Sequence, residues 1–254
     1  MLLVIDVGNT NTVLGIYNDN HLVETWRIRT EKNATADEFH ILAAGLFAGS
    51  GIESGQIDKT IISSVVPPVV KIIDSFCRKY LDHPPLVVDA ECFSEMPILY
   101  PNPAELGADR IVNAVAAFRK YQTSLIVIDF GTATTFDAIT SKGEYLGGAI
   151  SPGIMISAEA LFQKASKLPR VENFTAPEKA IGKTTESSMR SGIIYGYAGL
   201  VDGIVERMKI EMGTEPRVIA TGGLAAIMKN ATKSIEAVEP FLTLEGLRII
   251  GSRR

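Results

Sequence analysis

The amino-acid sequence predicts an α/β protein made of two similar halves. An internal repeat is the first observation: fourteen residues starting at Val4 recur, shifted by 123 positions, from Val127, and six of the fourteen are identical. The second is the same order of strand-like and helix-like segments in both halves. The third is a composition of 46% hydrophobic and 21% charged residues over 254 residues, typical of a chain that buries a core. A shift of nearly half the chain indicates two related units and not a solenoid.

The first half is expected to fold as three strands, a helix, a strand, a helix and a strand. The first two strands belong to the repeat and enclose its turn, and β-forming residues alternate in the third. The helices are predicted from apolar residues at spacings of three and four. After the strands of the repeat, the expected segments are residues 21–29, about 35–49, 59–66, about 69–80 and 86–88.

The second half repeats this order with longer helices. Three prolines mark residues 96–103 as an extended connection into a helix from about Ala104 to Tyr121. We place the domain boundary near the end of that helix, which gives an N-terminal domain over residues 1–118 and a C-terminal domain over residues 119–254. The segments expected beyond it are strands 124–130, 133–140, 144–150 and 217–220, and helices 153–167, 186–212, 224–231 and 242–249.

Composition and charge argue against several classes of protein. A net charge of −4 with no Lys/Arg cluster is unlike a nucleic-acid-binding protein, and no apolar run approaches the roughly 18 residues that span a bilayer. Two cysteines, Cys77 and Cys92, are too few for a disulfide framework. The apolar start of the chain reaches Asp6 too early for a signal peptide. We therefore expect a cytoplasmic protein without nucleic-acid or membrane partners.

Both copies of the repeat contain an Asp-x-Gly turn. A glycine after a strand lets the backbone approach a phosphate group closely, and successive N–H groups and hydroxyls can bind its oxygens. The aspartates that end the strands, Asp6 and Asp129, offer hard oxygen ligands for Mg²⁺ or another cation. A single copy could be an ordinary hairpin turn, but turn chemistry does not require the same order of Asp, Gly and Thr twice. The pair predicts one polyphosphate–metal site to which both halves contribute.

A paired-glycine turn follows the strand at residues 217–220. A nucleotide base or ribose could lie against Gly222 and Gly223 without a side-chain clash, and the N-terminus of the next helix favours anions. Such turns are also common as purely structural connections. Because this turn comes after two Asp-x-Gly turns, we assign it to nucleotide binding.

Asp109 and Arg110 lie early in the helix that is expected from about residue 104. An acid in a first turn often only compensates the helix dipole, and an adjacent arginine is often on the surface. Gly107, however, is a poor helix residue, and apolar residues dominate the turns after Arg110. An Asp–Arg pair at a cleft would combine a general base with an anion receptor, which a kinase acting on a hydroxy acid needs.

Five motifs together resemble the type III pantothenate kinases, a family of the actin, hexokinase and heat-shock-chaperone superfamily. The resemblance spans nearly the whole chain in the family's order, and Gly-Ala-Asp-Arg with Asp-Phe-Gly-Thr-Ala-Thr-Thr is its specific part. It implies two duplicated ribonuclease-H-like domains, the actin-like ATPase fold, with mixed five-stranded sheets flanked by helices. The motifs lie at residues 6–12, 107–110, 129–135, 147–153 and 221–223.

The resemblance also implies a reaction, which is ATP-dependent phosphorylation of the primary hydroxyl of pantothenate to 4′-phosphopantothenate, the first step of coenzyme A biosynthesis. Asp109 would accept the proton of the attacking hydroxyl, and Arg110 would bind the pantothenate carboxylate. Asp129 would hold a monovalent cation, K⁺ or NH₄⁺, and Asp6 would be oriented towards Mg²⁺ through the phosphates. The family works as a homodimer with its sites near the subunit interface, so a homodimer is expected.

The remaining implied contacts are with ATP and with pantothenate. The ATP phosphates would be bound by the first Asp-x-Gly turn and its strands, and ATP would also touch the second turn and the paired glycines: Asp6, Val7, Gly8, Asn9, Thr10, Asn11, Thr12, Val13, Thr132, Gly222 and Gly223. Pantothenate would be bound by Tyr100, Gly107, Ala108, Asp109, Arg110 and Thr184.

Two other functions stay open at this stage. A kinase of the same superfamily could act on a sugar or another carboxylic acid, although the Gly-Ala-Asp-Arg motif argues against it. A regulatory protein could bind ATP and use domain closure as a switch without phosphorylating a small molecule. Such a protein would not need Asp109. A panel of hydroxylated substrates tests the first alternative, and ATP binding without turnover would indicate the second.

Overall fold

The computed structural model describes residues 1–89, 96–165, 167–170 and 174–252. Within them, helices accompany two five-stranded mixed sheets. The predicted fold class, α/β with two mixed five-stranded sheets flanked by helices, is confirmed. Cys92 lies outside the described residues, and Cys77 is a buried free thiol.

Compactness divides the chain into two units. The first unit consists of Met1–Met96, Pro101–Ala116 and Leu242–Arg254, and the second of Pro97–Tyr100 and Ala117–Phe241. The first unit is therefore discontinuous in sequence. The domain boundary expected between residues 118 and 119 stays a prediction.

The first sheet is built around its central strand, β1 (Leu2–Val7). This strand pairs antiparallel with β2 (Asn11–Asn18) and parallel with β4 (Lys59–Ser64). At the two edges, β3 (His21–Arg29) lies beyond β2 and β5 (Leu86–Val87) lies beyond β4. The run Leu-Leu-Val-Ile-Asp-Val suits a strand covered on both faces, because neither face then needs polar residues.

The second sheet has the same plan with β6 (Leu125–Phe130) at its centre. β7 (Ala133–Ile139) pairs antiparallel with β6 on one side, and β8 (Tyr145–Pro152) follows it at the edge. On the other side β9 (Arg217–Gly222) pairs parallel with β6, and β10 (Ala237–Val238) pairs parallel with β9. The sequence repeat is thus a repeat of sheet topology.

The helices begin and end where local chemistry allows. Thr35 caps the first helix in a capping box with Glu38, and Pro67 stands at the first position of the second, where it needs no N–H partner. The helices, in chain order, are α1 (Ala36–Gly49), α2 (Pro67–Phe76), α3 (Ala108–Tyr121), α4 (Ile154–Lys164), α5 (Thr185–Met212), α6 (Ala225–Ala231) and α7 (Leu242–Gly251).

Both faces of the first sheet are covered within the first unit. Leu3 and Ile5 point to a core shared with α1 and α2, which supply Phe47 and Phe76 among others. The opposite face of β1 is covered by α7, since a Cβ built on Gly251 would lie 3.3 Å from Leu2. The chain therefore returns at its C-terminal helix to complete the unit with which it began.

The core of the second unit lies on one face of the second sheet. Ile126, Ile128 and Phe130 of β6 point to it, and α4, α5 and α6 cover it. Among the described residues, no helix is both long and apolar enough to cross a bilayer.

Candidate active site

The turn between β1 and β2 is the first predicted phosphate-binding segment. Gly8 N–H donates to the carbonyl of Asn11 at 3.0 Å, which closes the turn. Thr30 holds it from the side, because its N–H donates to the carbonyl of Thr10 at 3.0 Å and its hydroxyl donates to the carbonyl of Gly8 at 2.7 Å. The hydroxyl of Thr12 lies 3.0 Å from that of Thr30. Thr30 was not singled out from the sequence, since only the strand register places it beside this turn.

Asp6 stands at the end of β1 that carries this turn. It lies opposite Ser63 in the parallel strand β4 and opposite Val13 in the antiparallel strand β2. Because β1 and β4 are parallel, their carboxyl ends meet at the same edge of the sheet. The predicted phosphate residues from Asp6 to Val13 therefore form one continuous strand–turn–strand, with an exposed tip at Asn9 and Thr10.

The second copy of the turn is one residue shorter than the first. Val7 pairs with Thr12 across the first turn, whereas Phe130 pairs with Thr134 across the second. The ungapped sequence repeat aligns Thr12 with Thr135, but its structural counterpart is Thr134. The two turns are therefore related in topology without presenting the same residues.

Asp129 ends β6 beside β9, where it lies opposite Thr221. Gly222 has a φ of +91°, and a Cβ there would lie 2.6 Å from Oδ1 of Asp129. Only glycine fits at this position, because a Cβ would meet both this carboxylate and the backbone of Phe130 at 2.7 Å. Thr132 follows in the adjoining turn, and its carbonyl accepts a hydrogen bond from Gly153 at 3.1 Å. The structure thus brings Asp129, Thr132 and Gly222 to one edge of the second sheet.

The Gly107–Arg110 segment forms the start of α3. Helix α3 begins at Ala108 and not near residue 104 as expected, because a separate 3-10 turn occupies Pro103–Glu105. Arg110 N–H donates to Oδ1 of Asp109 at 2.9 Å, which folds the carboxylate back towards the chain. A Cβ on Gly107 would lie 2.5 Å from the same oxygen. Glycine at 107 is therefore what this conformation of Asp109 requires.

Two groups of opposite charge are desolvated at this helix start. Burial raises the pKa of the Asp109 carboxyl above its usual value, while the N–H and guanidinium of Arg110 lower that pKa by a smaller amount. The Arg110 side chain is itself only 8% exposed. A raised pKa makes a carboxylate a stronger proton acceptor, which suits the role expected of Asp109.

A cavity of about 490 Å³ adjoins this segment within the first unit. Gly107 and Ala108 form part of its wall, together with Ser64 at the carboxyl end of β4 and Asp89 just after β5. Ligand sites in open α/β sheets lie at the carboxyl ends of strands. Asp89 was not singled out from the sequence, although an acid directly after a strand is the signal that led to Asp6 and Asp129.

Three predicted residues lie elsewhere in the second unit. Tyr100 packs on β8, since a Cβ built on Gly147 would lie 3.9 Å from two of its ring carbons. Thr184 is the N-cap of α5, and its hydroxyl accepts from the N–H of Ser187 at 3.1 Å. Gly223 follows β9, and no atom outside its neighbours comes within 4 Å of a Cβ built there. The sequence predicts this helix from residue 186 and does not identify its N-cap, and the resemblance assigns Thr184 to pantothenate instead.

The donor chemistry of the two strand ends suits hard cations. Among the described residues, no group of three or more His, Cys, Asp or Glu side chains is arranged to hold a metal ion. Mg²⁺ is commonly bound through one or two carboxylates plus substrate phosphates and water. Asp6 and Asp129 each place a single carboxylate near the end of a strand. Such a carboxylate can bind a cation together with the phosphates of a nucleotide.

Two mixed five-stranded sheets of one topology, each with an Asp-x-Gly turn after its central strand, define the actin-like fold that hexokinases also have. A solved ROK hexokinase from Thermus thermophilus superimposes with a TM-score of 0.54 at 11% identity, covering 99% of this chain and 98% of that one. That likeness establishes the fold alone.

Sequence comparison defines the particular family. The family model described as type III pantothenate kinase matches residues 2–207. The type III pantothenate kinase of Desulforapulum autotrophicum is 63% identical over 100% of this chain and 97% of its own length, and that of Desulfatibacillum aliphaticivorans is 64% identical over 100% and 98%. The chain belongs to the type III pantothenate kinase family.

Proposed function

We propose that this protein transfers the γ-phosphoryl group of ATP to the primary hydroxyl of pantothenate, giving 4′-phosphopantothenate and ADP, the first step of coenzyme A biosynthesis. The observation that supports it best is the Asp109–Arg110 pair at the start of α3, directly after Gly107 and Ala108, which line a cavity of about 490 Å³. Membership of the type III pantothenate kinase family supports the same reaction. The reaction makes the protein a phosphotransferase with an alcohol group as acceptor.

Asp109 is the proposed general base, and Arg110 the proposed partner of the pantothenate carboxylate. Burial raises the pKa of Asp109, so its carboxylate accepts the proton of the attacking hydroxyl more readily than an exposed aspartate would. The guanidinium of Arg110 matches a carboxylate with two parallel donors. Gly107 and Ala108, the two residues before this pair, lie in the cavity wall, where the acceptor would bind.

The ATP phosphates would be bound by the strand–turn–strand from Asp6 to Val13. Phosphoryl transfer depends mainly on positioning and on charge stabilisation. Thr30 supports the positioning of the phosphates, because its hydrogen bonds to the carbonyls of Gly8 and Thr10 set the shape of the turn. Thr132 and the paired glycines 222 and 223 would contact the nucleotide as well.

Two cations belong to the proposal. Asp6 would be oriented towards Mg²⁺, which would supply positive charge to the phosphates when bound. Asp129 would hold a monovalent cation, K⁺ or NH₄⁺, that offsets repulsion between this carboxylate and the phosphates. Glycine at 222 leaves the space that the Asp129 carboxylate occupies, which a Cβ there would enter.

A homodimer is also part of the proposal. Ile150 on β8 is 64% exposed, and Met155 and Ile156 at the start of α4 are 52% and 45% exposed. Neighbouring exposed apolar residues of this size often mark an interface between subunits. Size-exclusion chromatography with light scattering tests it: the wild type should run as a dimer, and Ile156→Glu should shift it towards the monomer. The cytoplasmic location stays a prediction.

The test of the reaction is ADP release from ATP and Mg²⁺, with and without pantothenate, in sodium and then in potassium buffer. Release that depends on pantothenate and rises in potassium is the expected result. Glucose and another hydroxy acid serve as acceptor controls. If the folded protein releases no ADP with pantothenate but does so with another acceptor, the proposed substrate is wrong. If it binds ATP and phosphorylates no acceptor, the regulatory alternative is favoured.

A further inference from the structure

An acid is buried in the second sheet at a position that the fold does not require to be acidic. Asp137 of β7 is 0% exposed. It pairs with Val127, just as Gly15 pairs with Val4 in the first sheet, so Gly15 is its structural counterpart. Burial of a carboxylate costs several kcal/mol unless hydrogen bonds or charges compensate it. An acid retained at such a place is a candidate for a specific task.

The Asp137 carboxylate accepts hydrogen bonds from two neighbouring hydroxyls. Tyr145, also 0% exposed, donates its hydroxyl to Oδ1 at 2.5 Å. Thr135, two residues earlier on the same face of β7, donates to Oδ2 at 3.3 Å. A short bond from a phenol to a carboxylate is among the stronger hydrogen bonds in proteins. Asp137 therefore fixes the Tyr145 ring, and with it the start of β8.

The backbone of Tyr145 in turn holds the segment Pro97–Tyr100. Tyr145 N–H donates to the carbonyl of Pro97 at 2.8 Å, and Leu99 N–H donates to the carbonyl of Tyr145 at 2.8 Å. These bonds form an isolated parallel bridge between Ile98 and Tyr145. Backbone hydrogen bonds to Tyr145 thus attach the segment to the second sheet. Tyr100, the last residue of the segment, lies with its ring on β8 at Gly147.

We propose that Asp137 and Tyr145 are a pair of positioning residues that hold Pro97–Tyr100 in place and thereby set Tyr100 for binding the acceptor. Neither residue touches the substrate in this scheme. The assignment of Tyr100 to the acceptor site rests on the proposed function. The attachment of Pro97–Tyr100 to Tyr145 does not rest on the proposed function, because its hydrogen bonds lie within the second unit.

The first test is independent of any substrate. Tyr145→Phe removes the hydroxyl that donates to Asp137 and keeps the ring. The segment Pro97–Tyr100 should therefore be held less firmly on the second sheet. Amide hydrogen exchange of the peptide containing Leu99 should then quicken by about tenfold, which corresponds to the loss of one charge-assisted hydrogen bond. Tyr121→Phe is the matched control, since Tyr121 also donates to a carboxylate, that of Glu239, in the same unit. Unchanged exchange at Leu99 would overturn the proposal.

The second test uses steady-state kinetics with pantothenate and ATP. Tyr145→Phe should raise KM for pantothenate by about 5- to 20-fold while KM for ATP stays within about twofold. Asp137→Asn keeps an acceptor for the Tyr145 hydroxyl and should be milder than Asp137→Ala. A merely structural role would instead lower thermal stability and affect both substrates alike.

A double-mutant cycle shows whether the effect passes through Tyr100. If it does, Tyr145→Phe should add little to the rise in KM for pantothenate caused by Tyr100→Ala alone. Additive effects would overturn the link to Tyr100. If the wild type does not phosphorylate pantothenate at all, the proposed function fails, whereas faster exchange at Leu99 in Tyr145→Phe would still support the positioning of Pro97–Tyr100.

Discussion

At the scale of single residues, two of the proposed site carboxylates each occupy space that a glycine leaves free. Oδ1 of Asp109 occupies the space that a side chain at 107 would fill, and Oδ1 of Asp129 does the same beside residue 222. Both glycines were visible in the sequence, but the reason for them was not. Glycine permits many roles, and the structure identifies space for a neighbouring carboxylate as the role at these two positions.

Removal of the proposed base should abolish turnover without preventing nucleotide binding. Asp109→Asn keeps the shape of the side chain and an acceptor for Arg110 N–H. We expect kcat to fall by about 10²- to 10⁴-fold, the usual contribution of general-base catalysis. ADP release measures the loss, and calorimetric titration with an ATP analogue measures binding. Asp74→Asn, on α2 at a surface ion pair with Arg78, is the control. Turnover within a few-fold of wild type would show that Asp109 is not the base.

The buried carboxylate of Asp109 should lower the stability of the folded protein at neutral pH, compared with a protein that lacks this charge. The pKa of Asp109 is raised in the folded state, so between its unfolded and folded values the folded protein binds more protons and stability falls as pH rises. Above the folded pKa this penalty is complete. Asp109→Asn should therefore raise Tm, relative to wild type, more at pH 7 than at about pH 3.5, below the ordinary Asp value. Equal Tm differences at both pH values would contradict this.

Asp129 should determine the response to monovalent cations. In Asp129→Asn the formal charge beside Gly222 is lost while the fit of the side chain is retained. We expect activation by K⁺ to require at least about tenfold more salt, because a carboxylate is the stronger ligand for a hard cation. Potassium titrations of ADP release, at constant ionic strength with sodium, measure it. Glu211→Gln on the exposed side of α5 should titrate like wild type.

At the scale of elements, periodic strands and helices are predicted close to their observed bounds, whereas some short or interrupted elements are not. The strand at His21–Arg29 was predicted to the residue, because β-formers alternate throughout it. β10 is absent from the predicted strands because acids flank its two apolar residues, whereas β5, which is equally short, lies in the apolar run at residues 86–88. The start of α3 was placed about four residues early because Pro103 and the acid Glu105 look like a helix N-terminus, yet they form a 3-10 turn.

The apolar pattern of a strand also does not predict which of its polar residues are buried or what they contact. Asp137 and Tyr145 lie in segments that read as ordinary strands, and their contact joins residues of neighbouring strands. Thr30 escaped notice for a similar reason: it lies beside the first turn only through the pairing of β2 with β3. Sequence alone predicts which residues end a strand, whereas register decides which side chains meet.

One contact of α5 should contribute measurably to stability. Asp202 accepts hydrogen bonds from the N–H groups of Lys233 and Ser234, both at 3.1 Å from Oδ1, and from the Ser234 hydroxyl at 2.7 Å. Asp202→Ala leaves these donors without their acceptor and should lower the free energy of unfolding by about 1–3 kcal/mol. Urea denaturation measures it, with Glu206→Ala, one turn further along the helix and exposed, as the control. A loss no larger than in Glu206→Ala would contradict the assignment.

At the scale of the whole molecule, α7 is a late part of the chain that completes an early unit. Leu247 is fully buried, and Lys59 of β4 donates to the carbonyl of Gly251 at 2.6 Å. The repeat predicted two similar halves but gave no sign that residues 242–251 belong with the first. Amphipathic spacing identifies a helix, while the sheet face on which it packs is set by tertiary structure.

Loss of this packing should destabilise the first unit strongly. Leu247→Ala leaves a cavity where α7 is buried, and we expect a loss of about 2–5 kcal/mol in the free energy of unfolding. Fluorescence of Trp26, in β3 of the first unit and the single tryptophan of the chain, reports unfolding of that unit directly. Leu146→Ala, at a partly exposed site of β8, is the control. An unchanged midpoint in Leu247→Ala would argue against the structural role of α7.

The return of α7 to the first sheet also sets the order of events during synthesis. When β1 to β5 leave the ribosome, the face of β1 that α7 will cover is still bare, and it stays so while the whole second unit is translated. At about 5–20 residues per second, this interval lasts roughly ten seconds or more. For that time the nascent chain exposes apolar surface of the kind that chaperones bind. A stop codon anywhere before residue 242 would leave this surface open permanently, so truncated products should be cleared by proteolysis and not persist as a stable half-molecule.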